Sequence, residues 1–124
     1  MRAVLEGAAG GDARCALALS VFVHRCRKYV AAYWAQLRGD VHALVFSAGI
    51  GEHSAEVRRR VCEGMEWAGV RLDAARNADL EAAAADGPAE IQAPGSKVRV
   101  LVVPTDEELS IAEQTLEVAA LGST

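Results

Sequence analysis

The chain has 124 residues, with 13 Lys+Arg against 17 Asp+Glu and a formal net charge of −4. Hydrophobic residues make up 52% and charged residues 24%; that excludes a disordered chain, and the lack of a basic excess argues against a nucleic-acid module. No apolar run approaches the ~20 residues of a membrane span and no leader pattern precedes the first polar residues, so the expectation is a soluble, intracellular chain folding as one domain.

In chain order, Gly10-Gly11-Asp12 supplies a loop and an N-cap for a long helix over 12–37, where Leu17, Val21, Phe22, Tyr29 and Tyr33 recur at helical spacing. Gly39-Asp40 stops it. The apolar run Ala43-Leu44-Val45-Phe46 has no alternation and predicts a strand buried on both faces of a parallel sheet. Ser47 to His53 reads as a loop, and a second helix is predicted over 54–67, ending at Gly69. On it, Arg58, Arg59 and Arg60 are spread too widely around the axis to form one patch and read as a solvated face. A short edge strand over 70–73 and an Ala-rich segment over 74–85, helical or merely superficial, come next. Gly87-Pro88 and Pro94-Gly95 mark turns around 90–92. The strongest strand signal covers 98–103 and stops at Pro104, and a last helix runs from Thr105 towards Ala120. This order predicts an α/β fold with a partly parallel sheet.

Cys15, Cys26 and Cys62 are odd in number and lack a CxxC spacing. The first two share the predicted long helix, about 16 Å apart, too far for a disulfide. Reduced thiols follow, and neither His24 beside Cys26 nor the separated His42 and His53 suggests a zinc site.

Chemistry in an open α/β sheet is expected outside the carboxyl ends of its strands. At the first such corner, Gly49-Ile50-Gly51-Glu52-His53 follows Phe46. Two glycines remove side chains, so a ligand can approach the backbone ahead of a helix N-terminus, although glycines also serve simply to make a turn. The spacing Gly49-x-Gly51-x-x-Ser54 only partly mimics a dinucleotide fingerprint, because Ser54 stands where the third glycine belongs. At the second corner, Pro104-Thr105-Asp106-Glu107-Glu108, Thr105 and Glu108 are spaced as a capping box. Glu107 is then either a further cap residue or free to assist Mg²⁺ held together with phosphate, since such sites use only one or two carboxylates.

The two corners together resemble the acetate kinase family. Residues 43–54, ALVFSAGIGEHS, are similar to its adenosine-binding segment (a strand followed by GGIGEN or AGIGEN), and 98–108 to its V-x-V-x-V-I-P-T-N-E-E segment. RRRVCEGMEWAGVRLD at 58–73 and RCRKYV at 25–30 fit the same register, so the resemblance covers almost the whole chain. It implies ATP-dependent, reversible phosphorylation of acetate to acetyl phosphate by a cytoplasmic homodimer that requires Mg²⁺ and binds neither nucleic acid nor membrane. The implied fold is part of an actin-like, ribonuclease H-like ATPase domain, the class of the sugar kinases and heat-shock proteins: a mixed sheet with flanking helices. Residues 1–124 would be the C-terminal part of the nucleotide-binding domain.

Residue by residue, the resemblance makes Gly49, Ile50, Gly51, Glu52 and His53 the adenosine-side ATP loop and Glu107 the Mg²⁺-associated carboxylate. Met1-Arg2 matches the end of the family's D-x-R element, making Arg2 a candidate to lie against the adenine. His53 replaces the usual Asn, and Asp106 replaces the Asn of the T-N-E-E run. The substrate-binding arginines, the catalytic aspartate and the transition-state histidine of the family have no counterparts, so no catalytic residue is assigned. The chain is expected to be a C-terminal piece or a truncated gene product that binds nucleotide weakly and turns over acetate negligibly. The alternatives are a propionate or butyrate kinase of the same superfamily, a dinucleotide-binding domain, or a non-catalytic interaction module.

Overall fold

The computed structural model of the chain describes residues 1–84 and 87–121. Arg2–Ala9 form α1, a helix the glycine-rich start of the sequence did not suggest. Gly7 is tolerated within it because the next helix lies so close. A Cβ built there would come within 2.5 Å of Cys15 Sγ.

Helix α2, Ala13–Gln36, begins where Asp12 predicts: its side chain accepts from the backbone N–H of Arg14 at 2.7 Å and of Cys15 at 3.2 Å. The left-handed Gly39 (φ 78°) turns the chain out of it. Strand β1, Ala43–Phe46, follows, and then a second helix missed in the sequence, α3, Ala48–His53. Helix α4, Ala55–Cys62, is shorter than predicted, because Gly64 adopts φ 68° and breaks the run. A 3₁₀ turn at Glu66–Ala68 ends at the left-handed Gly69, as expected. The Ala-rich segment folds as two short helices, α5 (Ala74–Ala78) and α6 (Leu80–Ala83). Each is opened by an aspartate cap, Asp73 or Asp79. Ala85, at the end of that predicted segment, lies outside the described residues.

Strand β2 is Ala89–Glu90 and β3 is Arg99–Val102. The sheet order is β1-β3-β2, with β1 parallel and β2 antiparallel to β3. The partly parallel sheet is therefore as predicted, but the burial of β1 on both faces is not. β1 is an edge strand in this sheet, and Val45 is 52% exposed. The predicted strand over 70–73 reduces to a single bridge between Leu72 and Gln92.

Among the described residues, two clusters fill the interior. Trp34, Cys62, Val70, Ile91, Val100 and Val102 pack about the sheet, and Leu19, Val23, Val57 and Val61 join α2 to α4 beneath α1. Phe46 touches both, so the end of β1 is where the two clusters meet.

The last helix, α7, is Glu107–Leu121 and starts two residues later than predicted. The capping box gives way to a different cap: Asp106 Oδ1 accepts the Leu109 N–H at 2.9 Å, while the hydroxyl and N–H of Thr105 both donate to Glu52. No described helix is long and apolar enough to cross a membrane.

Candidate functional site

Because β1 and β3 run parallel in register, with Phe46 opposite Val102, their carboxyl ends lie side by side. The Val103 N–H extends the ladder by donating to Phe46 O at 2.9 Å. The two predicted corners therefore share one rim of the sheet. They also touch: Glu52 Oε1 accepts the Thr105 N–H at 2.9 Å and the Thr105 hydroxyl at 2.8 Å. Those bonds, the hydroxyl's first, hold the Glu52 carboxyl below its ordinary range.

The segment expected as a loop is the helix α3. Ser47 is extended, and Ala48 then takes φ 57°, a left-handed conformation that costs a non-glycine residue and turns the chain sharply off the strand. Its two glycines have different reasons to be there. A Cβ on Gly51 would sit 3.2 Å from the backbone carbon of Phe46, so Gly51 lets α3 fold back on the strand end. A Cβ on Gly49 would meet nothing within 4 Å. Gly49 faces open space.

That space is a cavity of about 330 Å³ whose lining includes Arg2, Leu5, Gly49, Ile50 and His53. Four of the sequence-predicted residues, Arg2, Gly49, Ile50 and His53, are thus brought together from α1 and α3. Gly51 and Glu52 are not in its lining. Glu52 instead borders a mainly apolar cavity of about 260 Å³ with Leu80, Val102 and Pro104, and His53 borders both spaces. Glu107 opens α7 on the same rim, but its side chain lies outside the described residues. Among the described residues no three His, Cys, Asp or Glu side chains converge to hold a metal ion. Of the neighbouring carboxylates, Glu52 bonds Thr105 and Asp106 caps the start of α7, each through one oxygen. A divalent ion here would have to arrive largely coordinated by phosphate and water, which is how Mg²⁺ is ordinarily held.

Arg58 corrects the prediction of a solvated arginine face. It is 2% exposed. Its Nη1 donates to Gly51 O and Glu52 O, each at 2.8 Å, tying down the carbonyls of α3. Its Nε donates to Asn77 Oδ1 and its Nη2 to Asn77 O, each at 2.7 Å, and Asn77 Nδ2 in turn donates to Ala55 O at 2.9 Å. Burial pulls the guanidinium below its ordinary pKa, but arginine stays charged regardless. The signal was present in the sequence. Val57, Arg58, Val61 and Cys62 share one stripe of α4, and all four are buried. Arg59 and Arg60 behave as expected, both pairing with Glu56, at 2.8 and 2.6 Å. The Arg59 hydrogen bond, with help from Arg60, draws the Glu56 carboxyl down to about 2.

Cys62 is buried and its thiol is pushed up to about 12, so it is no nucleophile. A larger cavity of about 480 Å³ between α4 and α5 holds none of the predicted residues, and its Glu56 and Arg59 already pair with one another.

Residues 1–113 match the Acetokinase family. The chain is 51% identical over 118 residues to an acetate kinase of Micrococcus luteus, covering 94% of this chain and 30% of that protein. To an acetate kinase of Campylobacter fetus it is 44% identical over 118 residues, covering 95% and 28%. The crystal structure of Porphyromonas gingivalis acetate kinase superposes with a TM-score of 0.77 at 37% identity, over 95% of this chain and 28% of that one. A propionate kinase from Francisella tularensis gives 0.75 at 33% identity, over 90% and 27%. The chain thus spans less than a third of the length of these relatives.

Proposed function

The chain belongs to the acetokinase family, and from that premise we propose that residues 1–124 are the C-terminal part of the nucleotide-binding domain of an acetate kinase, supplying the adenosine and metal side of its cleft. Its mixed sheet with flanking helices is the fold of the acetate kinases, the actin-like class expected from the sequence. The observation that carries the proposal is the cavity shared by Arg2, Gly49, Ile50 and His53, bordered by the same helix α3 whose Glu52 bonds Thr105.

Each residue has a part in that reading. Ile50, 37% exposed, offers an apolar face to the base. Gly49 leaves room for it, and Arg2 lays a planar cation against its ring. His53, in place of an amide, offers a ring nitrogen for a hydrogen bond. Gly51 and Glu52 belong to the same site as its frame, Gly51 by closing α3 onto Phe46 and Glu52 through its bond to Thr105. Glu107 is the residue proposed to hold Mg²⁺ alongside the nucleotide phosphates, where the ion supplies charge neutralisation for phosphoryl transfer.

Reversible transfer of phosphate from ATP to acetate needs groups on both sides of the phosphoryl group. This chain furnishes one side, so it binds ATP or ADP but forms no acetyl phosphate alone. A propionate kinase is the second reading, favoured by the similarity to the Francisella protein; none of the residues assigned here would contact the acyl group and separate the two.

Calorimetric titration of the chain with ATP, ADP and NADH tests the proposal. Adenine nucleotides should bind in preference to NADH. Gly49→Val should abolish that binding without unfolding the chain, because its Cβ position is open. Unaltered ATP affinity in Gly49→Val, or preferred NADH binding, would refute the site. Acetate-dependent ADP formation well above blank would refute the division of labour.

A further inference from the structure

Glu52 is held twice. Its carbonyl oxygen accepts from Arg58 Nη1 at 2.8 Å, and that guanidinium is anchored on Asn77. Its carboxylate reaches across 53 residues of sequence to take both the N–H and the hydroxyl of Thr105. One oxygen accepting two donors from a single residue fixes both the backbone and the side-chain rotamer of that residue. Thr105 is followed by Asp106, which caps α7, and by Glu107, the first residue of α7. The place where α7 starts is therefore referred, through Glu52, to α3 and the cavity that Gly49 and Ile50 line.

We infer that Glu52 is a positioning residue, a latch coupling the adenosine-side cavity to the start of α7, so that nucleotide held at one corner sets the metal-associated corner at the other. The inference rests on the proposed function for the identity of those corners. Its rival is a Glu52 carboxylate that itself ligates the nucleotide or its metal. The two differ for the amide isostere: Gln keeps the reach and an acceptor oxygen but loses the charge. A latch survives that exchange. An ionic ligand does not.

The experiment titrates the 124-residue chain and its Glu52→Ala, Glu52→Asp and Glu52→Gln variants with ATP, once in EDTA and once with Mg²⁺. Exchange of the Thr105 amide is followed by NMR in the same samples. Glu52→Ala should cut the Mg²⁺-dependent gain in ATP affinity by about fivefold or more, the low end of ordinary coupling between sites, and should speed Thr105 exchange. Glu52→Asp, one methylene too short, should behave like the alanine variant. Glu52→Gln should restore both readouts. Loss of the gain in Glu52→Gln with Thr105 still protected overturns the latch in favour of a direct ligand. Wild-type gain and exchange in Glu52→Ala overturn it outright, as does a wild-type chain that binds ATP with no gain from Mg²⁺. A wild-type chain that binds no ATP overturns the proposed function and the coupling built on it. Thr105 exchange would then report separately whether Glu52 tethers the start of α7.

Discussion

Removing the Arg58 side chain should destabilise the chain more than any change to its two neighbouring arginines. The guanidinium donates to four oxygens, Asn77 Oδ1, Asn77 O, Gly51 O and Glu52 O, all within 2.7–2.8 Å. None of them is a carboxylate. The buried cation is stabilised by dipoles, and Arg58→Ala would leave those oxygens facing a hole. A hydrogen bond to a charged group contributes roughly 1.5–3 kcal/mol, but the four share one donor group and do not add. Leaving one buried acceptor unsatisfied costs about 1–3 kcal/mol, and with four stranded beside a new cavity we expect Arg58→Ala to cost about 3–5 kcal/mol. Against a domain stability of roughly 5–15 kcal/mol this is a large fraction. In urea, with a slope of roughly 1–3 kcal/mol/M, the unfolding midpoint should fall by about 2 M without a change of slope. Arg58→Lys keeps a charge but loses the fork, so it should recover only part of the loss. Asn77→Ala combined with Arg58→Ala should cost clearly less than the sum of the two, because each single change breaks the same bonds. A loss below about 1 kcal/mol for Arg58→Ala, or full additivity with Asn77→Ala, would refute the claim that this network holds α3 in place.

Other expectations follow from single contacts. Gly7→Ala should cost about 1–3 kcal/mol, as overpacking does, because its Cβ would meet Cys15 Sγ at 2.5 Å; thermal unfolding checks this, and ATP titration should show weaker binding as α1 carries Arg2 away. Gly51→Ala should lower the melting temperature, whereas Gly49→Ala should leave it unchanged, since only the former presses on Phe46. The Glu56 carboxyl lies lower in the folded chain, at about 2, than its ordinary 4.5. The unfolded chain thus takes up that proton first, and the Glu56 contribution, present above pH 4.5, is lost as pH falls towards 2. The pair is more than a third exposed, so the amount is under ~1 kcal/mol; Glu56→Gln should flatten this part of a urea-midpoint profile against pH.

What could be read from the sequence was whatever a local rule decides. Asp12 caps α2 and Gly69 ends its segment because both act on atoms two to four residues away. A partly parallel sheet was implied by the order of helices and strands, but not that β1 pairs directly with β3. Two features were not visible, because a partner outside the local pattern outweighed a local preference, and a third was visible in the apolar stripe but masked by a run of charges. Thr105 has the spacing of a capping box with Glu108, but Glu52 takes its hydroxyl and its N–H, and the cap passes to Asp106. Two glycines in five residues argue against a helix, but Arg58 satisfies the carbonyls of Gly51 and Glu52 from seven and six residues downstream and Gly51 is needed against Phe46. Three consecutive arginines suggest solvent, until Val57, Val61 and Cys62 place the first of them on the inward stripe.

The same distant partners explain why the candidate site stands where it does. Parallel pairing leaves β1 and β3 as direct neighbours, so residues 53 apart in sequence meet at one rim with no strand between them. The segment after β1 could have continued as an extended loop, and its glycines would then have offered ligands a flexible edge. Folded as α3, with its carbonyls on Arg58 and Gly51 against Phe46, it presents Gly49 and Ile50 to the cavity from a fixed surface. Preorganisation of that kind lowers the ordering cost of binding. It also assigns the glycines unequal tasks: Gly51 maintains the frame, while Gly49, with nothing within 4 Å of its Cβ position, keeps the opening.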